Sequence, residues 1–245
     1  MTSESLTVHI ASAGREWLTE LAVLSAAHHS TVPLNFVIGG SIGTEPNLLA
    51  ELLRSGNVRI EVAAGRAHSD WLDHWVRETR AKYAVFLDSD VFFRRTCWVS
   101  PIVKELEAGA TLVSCHLRGR EEGVIEPVRG AVTTAMPRPS PWVMAVDVAH
   151  VRETGASFAY MNTVQDGEIL AWDVGGKVLE ALNRKGLVTR SLPDSYGRYY
   201  THIGGMSWRS APAAGIEPKR WLRLHEARIR VLYERLAARR SGLNP

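Results

Sequence analysis

Short apolar runs alternate with amphipathic stretches from the start of the chain to Phe93. Residues 7–13, 34–38, 58–62 and 84–87 are apolar segments bounded by polar residues or glycine, the pattern of strands buried between helix layers. Residues 15–27, 46–54 and 69–81 carry helical spacing instead; in the last, Trp71, Leu72, Trp75 and Val76 fall on one side. Such alternation predicts parallel strands with helices on both faces of the sheet. Farther on, residues 141–146 resume as a strand with Trp142 and Met144 on one face by period two, and residues 177–185 form a helix with Leu179 and Leu182 at helical spacing. Residues 118–141, rich in Gly, Arg and Pro, read as a surface loop at the open end of the sheet and as a candidate lid. There Arg118, Arg120, Arg129 and Arg138 are available to a phosphate or an acidic acceptor.

The fourth apolar run ends in Asp88-Ser89-Asp90. Ligands of open α/β sheets collect at the carboxyl ends of strands, so the two carboxylates are expected at the binding crevice. Like charges so close raise each other's pKa unless a cation or a hydrogen-bonding ligand offsets the repulsion. Hard oxygen donors suit Mg²⁺ or Mn²⁺, which in turn suit a diphosphate. The plainer alternative is a helix cap or an Asx-turn.

Two later clusters add chemistry. Asp173, with Asp166 and Glu168 nearby in sequence, precedes Val174-Gly175-Gly176 and the helix at 177–185. It fits either a helix N-cap or a base that accepts an acceptor's proton, and Asp166 and Glu168 fit the second role equally well. His202 is followed by Ile203-Gly204-Gly205, where the glycines permit a tight turn and close approach to a ligand. Neutral imidazole is a competent Mn²⁺ ligand. Arg66 and His68 stand where the third strand ends and are candidates for phosphate or nucleotide contact, and Trp208 is a candidate for lining the donor or acceptor pocket.

Taken in order, the β/α half from Thr7 to Asp88-Ser89-Asp90, the strand region near 141–148, Trp172-Asp173-Val174-Gly175-Gly176 and Thr201-His202-Ile203-Gly204-Gly205 resemble the GT-A glycosyltransferases. The resemblance implies a single Rossmann-like GT-A domain of class α/β, with a mixed central sheet and helices on both faces. It implies a nucleoside diphosphate sugar as donor, Mn²⁺ or Mg²⁺ as cofactor and a hexosyltransferase-like activity on an unknown acceptor. Asp88, Ser89, Asp90, Arg66, His68 and Trp208 would then bind the nucleotide-sugar. Asp88, Asp90 and His202 would hold the metal, and Asp173 would be the catalytic base if configuration inverts. Where many members carry an acidic residue for the base, this chain reads Val37-Ile38-Gly39-Gly40-Ser41, which leaves the nucleotide open. The rivals are a haloacid-dehalogenase-like phosphohydrolase, with Asp88 as nucleophile and Asp90 as acid/base, and a non-catalytic nucleotide-binding protein.

Composition narrows the setting. At 245 residues with 45% hydrophobic and 22% charged positions, the chain suits one large α/β domain or two small ones and excludes a disordered protein. The expected organisation is a donor half at 1–115, an acceptor half at 116–215 and a terminal basic helix at 216–245. Between Glu217 and Arg240 eight basic residues face three acidic ones, although the whole chain carries only +3. That helix carries Leu222, Ile229, Leu232, Tyr233 and Leu236 along one side and is expected to dock on the core or on a second subunit; contact with a membrane surface is the minority reading. Two cysteines, Cys97 and Cys115, have no metal-pair spacing and suit a reducing compartment. With no leader pattern and no apolar stretch of spanning length, the expectation is a soluble cytoplasmic protein that binds no nucleic acid.

Overall fold

Alternate residues of the central strands feed two separate cores. In the computed structural model, which describes residues 6–12, 16–40, 57–63, 66–125, 132–203, 231–232 and 234–235, the first half reads β1 (Leu6–Ser12), α1 (Glu16–His28), β2 (Asn35–Gly40), β3 (Val58–Val62), α2 (His68–Glu78), β4 (Tyr83–Asp88), β5 (Val91–Phe93) and α3 (Val99–Glu107). Then come β6 (Leu112–Ser114), β7 (Leu117–Arg118), β8 (Glu121–Ile125), β9 (Val132–Ala135), β10 (Arg138–Pro139), β11 (Val143–Asp147) and α4 (Val148–Thr154). The remainder is β12 (Met161–Gln165), β13 (Glu168–Trp172), α5 (Gly176–Arg184), β14 (Thr189–Ser191), a 3₁₀ turn (Asp194–Arg198) and β15 (Tyr200–His202). The expected helix at 46–54 lies outside the described residues.

A seven-stranded sheet runs β14-β6-β11-β4-β1-β2-β3. Strands β1 to β4 are parallel to their neighbours within that set, while β11 is antiparallel to both β4 and β6, so the sheet is mixed. Val8 and Ile10 of β1, Val85 and Leu87 of β4, and Val143 and Ala145 of β11 point to the core covered by α1 and α3. Ala11, Phe86, Met144 and Val146 point the other way, to Trp71 and Trp75 of α2, Val151 of α4 and Leu182 of α5. The period of two in side-chain direction thus builds both layers from one set of strands.

Trp142 does not share a face with Met144, contrary to the alternation. It precedes β11 in a turn and packs against the first core, whereas Met144 lies in the second. The expected loop at 118–141 is also largely strand. β7 and β10 make a two-stranded ribbon, and β8 and β9 join β13 and β12 in a four-stranded sheet. These strands are two to five residues long and broken by Gly, Arg and Pro, so their pairing has no local signature. In the terminal segment Val231, Leu232, Glu234 and Arg235 are helical, and Leu232 packs against the first core. Both cysteines are free. Among the described residues no helix is long and apolar enough to cross a membrane.

Gly39 shows how tightly α2 sits. A Cβ there would lie 2.6 Å from ring atoms of both Trp71 and Trp75, whose rings stack 5.3 Å apart. Gly39→Ala should therefore cost on the order of 1–3 kcal/mol through overpacking, read as a lower Tm or a lower urea midpoint. An unchanged midpoint would contradict this packing.

Candidate active site

β4 delivers Asp88 to the carboxyl end of the sheet, and the chain then turns through Ser89 and Asp90 into β5, which leaves the sheet. β5 pairs antiparallel with β15, with His202 opposite Val91, and the Ile203 N–H donates to the Asp90 carbonyl at 3.2 Å. That register brings His202 to the acidic pair. Its Nε2 lies 3.3 Å from Asp90 Oδ1 and 3.7 Å from Asp88 Oδ2. Ligand atoms of Asp88, Asp90 and His202 all fall within 4.8 Å of one another. Two carboxylates and an imidazole at this spacing fit a divalent cation of the Mn²⁺ or Mg²⁺ kind.

Asp90 and Ser89 are buried, and Asp88 is partly exposed. Burial pushes the Asp88 carboxyl above the usual carboxylate range; His68 and His202 pull it back down, and Asp90 pushes it further up. A bound cation would relieve the part due to Asp90. His68, the first residue of α2, places Nε2 3.4 Å from Asp88 Oδ1, so it joins the cluster. Arg66 lies with its guanidinium 4.4 Å from the Trp71 ring centroid. Trp208 falls outside the described residues.

Trp142 holds this cluster from the side. Its ring stacks on His202 at 4.7 Å between centroids and 18° between planes. Its indole N–H donates to Tyr200 Oη at 3.2 Å, and its carbonyl accepts from the Asp88 N–H at 3.3 Å. Sequence reasoning placed Trp142 on a strand face with Met144 and missed the contact with His202, because only the β5–β15 pairing makes them neighbours.

Asp173 follows β13 and is not the cap of α5. Gly175 occupies that position at φ 80°, with Pro139 Cγ 2.8 Å from where a Cβ would stand, so only glycine fits there. Asp173 instead accepts from the Val174 N–H at 2.8 Å through Oδ1 and from the Arg138 guanidinium through Oδ2. Arg138 lies on β10, directly opposite Arg118 of β7, and the Arg118 guanidinium is 5.7 Å from the Trp142 ring centroid. A continuous set of contacts therefore runs from Asp173 through Arg138, Arg118 and Trp142 to His202. Asp166 and Glu168 are elsewhere. Asp166, at φ 52°, turns the β12–β13 hairpin with Gly167, while Glu168 pairs with Arg120 and Thr134. Glu168 starts β13, roughly 16 Å along the strand from Asp173 at about 3.3 Å per residue.

The mixed sheet, with its acidic pair at the end of β4, is the GT-A fold of nucleotide-sugar-dependent glycosyltransferases. Among solved structures it is similar to the mannosyltransferase PcManGT from Pyrobaculum calidifontis in complex with GDP-Man and Mn²⁺, with a TM-score of 0.54 and 17% identity over 78% of this chain and 55% of the other. GalNAc-T7 with UDP, GalNAc and Mn²⁺ gives 0.49 and 14%, over 69% of this chain and 42% of the other. S. aureus TarS 1–349 gives 0.46 and 13%, over 65% and 50%. This chain thus spans about half the length of the mannosyltransferase and of the TarS fragment. No protein-family model matches the sequence, and no curated protein matches it.

Proposed function

We propose that this protein is a metal-dependent glycosyltransferase that moves a sugar, a hexose in the simplest case, from a nucleoside diphosphate sugar to an acceptor. The observation that carries this reading is the convergence of Asp88, Asp90 and His202 within 4.8 Å at the carboxyl end of β4 in a GT-A fold. The GDP-Man and Mn²⁺ bound by the mannosyltransferase of similar fold support the donor class and the cofactor. In this reading Asp88, Asp90 and His202 hold Mn²⁺ or Mg²⁺, which when bound supplies the Lewis acidity that stabilises a departing diphosphate.

The remaining roles fall to the chain's own residues. His68, beside Asp88, and Arg66, over Trp71, border the donor side, with Ser89 fixing the turn between the two carboxylates. Asp173, oriented by Arg138 and the Val174 N–H, takes the proton of the acceptor hydroxyl as that oxygen attacks the sugar's anomeric carbon from the face opposite the leaving group.

A thermal-shift series with nucleoside diphosphates and sugar nucleotides, each with and without Mn²⁺, tests the reading. One base should raise the apparent Tm only in the presence of metal, by an amount corresponding to about 2.7 kcal/mol at a hundred times its Kd. No shift with any of them in a folded sample would shift support to the phosphohydrolase. A shift without sugar release or transfer would favour the non-catalytic binding protein.

A further inference from the structure

The ribbon beside the site carries two arginines on one face. Arg118 and Arg138 are direct partners across the antiparallel β7–β10 pair. Side chains directly opposite on such a pair share one face, where like charges repel. Arg138 registers this, since burial and then Arg118 lower its pKa against the opposing pull of Glu121. Asp173 neutralises Arg138. Among the described residues no carboxylate makes an ion pair with Arg118, whose neighbour is the Trp142 ring. Arg120, two positions on, is by contrast paired with Glu168 and Glu122. Of these three arginines, Arg118 alone presents a cation without a carboxylate, one aromatic ring away from His202.

A guanidinium fork suits a phosphate or a carboxylate, which it binds through two parallel hydrogen bonds. The donor's diphosphate would be met by the divalent cation that Asp88, Asp90 and His202 would hold. Arg118 neighbours Trp142, whose ring stacks on His202, and its ribbon partner holds Asp173. We propose that Arg118, backed by the Arg138–Asp173 pair, is the subsite for a phosphate or carboxylate group of the acceptor, so that the sugar goes to an anionic acceptor. This rests on the glycosyltransferase reading.

The test is titration of inorganic phosphate, and separately acetate, into the full chain with and without Mg²⁺ and a saturating nucleoside diphosphate, followed by NMR of arginine Nε–Hε signals. The Arg118 signal should shift saturably with phosphate in both conditions. Arg118→Gln should weaken phosphate binding by about tenfold or more, while Arg120→Gln should not, and both variants should keep the wild-type Tm. Absence of phosphate binding, or equal affinity in Arg118→Gln, overturns the proposal. So does displacement of phosphate by the nucleoside diphosphate, which would return Arg118 to the donor side. Failure of any nucleotide to bind strikes the glycosyltransferase reading instead and is read in the separate nucleotide titration.

Discussion

Replacing Asp90 with alanine should abolish metal-dependent donor binding and lower kcat/KM for sugar transfer by at least about a thousandfold, or about 4 kcal/mol of transition-state stabilisation. The side chain is buried, 2% exposed, with Oδ1 turned to His202 at 3.3 Å, so its loss leaves the cluster with one carboxylate. The backbone should not follow. The Asp90 carbonyl still accepts from the Ile203 N–H, and the β5–β15 ladder at Val91, Phe92 and Phe93 stays paired. The expected signature is therefore specific: a wild-type circular dichroism spectrum, no Mn²⁺-dependent thermal shift with nucleotide, and near-absent turnover. Full activity in this variant would overturn the proposed metal site while leaving the fold assignment untouched.

Acid should destabilise the protein through His9, on the strand beside β4 and outside the Asp88, Asp90 and His202 cluster. His9 lies in the middle of β1 at 1% exposure, between Val37 and Phe86 in the sheet and 5.0 Å from the Trp75 ring centroid. Neither ring nitrogen has a hydrogen-bond partner among the described residues. Burial, with Arg59 and His74 adding in the same direction, lowers its pKa to about 3. The unfolded chain binds this proton near pH 6.5, so between about 6.5 and 3 it carries more protons than the folded one. The stability from neutral His9 is complete above that window and is lost as pH falls through it, reaching roughly 3 kcal/mol at pH 4. Urea unfolding of wild type and His9→Leu at pH 7 and pH 4 isolates this contribution. The variant should lose less stability on acidification than wild type, by roughly that amount. Equal losses would mean that His9 takes up its proton in the folded protein as readily as in the unfolded chain.

β3 was read from the sequence at its observed bounds, and β1, β2, β4, α1 and α2 within a few residues. The acidic pair at the end of β4 and the late histidine were read as well. Each of these follows from local physics. An apolar run flanked by helical spacing has one economical use, as a strand buried between layers, and such a strand must end at the crevice of its sheet. Two carboxylates one residue apart repel unless a cation or a hydrogen-bonding ligand offsets them, which is legible locally as well.

Where the histidine lands is another matter. His202 meets Asp90 because β15 pairs with β5 in one register, joining residues far apart in sequence, and a shift of one residue would turn its side chain to the other face. The same holds for Trp142 on His202, for Arg118 opposite Arg138, and for Asp173, which sequence placed as either a cap or a base and the fold pairs with Arg138 while Gly175 takes the cap. The strands of residues 117–139 are too short and too interrupted to bury a periodic face, so nothing local distinguishes them from a loop. The sequence by itself determined the layers of the fold and the residues that bear charge. Tertiary structure decided which of them face one another, because strand pairing and ring stacking depend on separations in space that no period along the chain encodes.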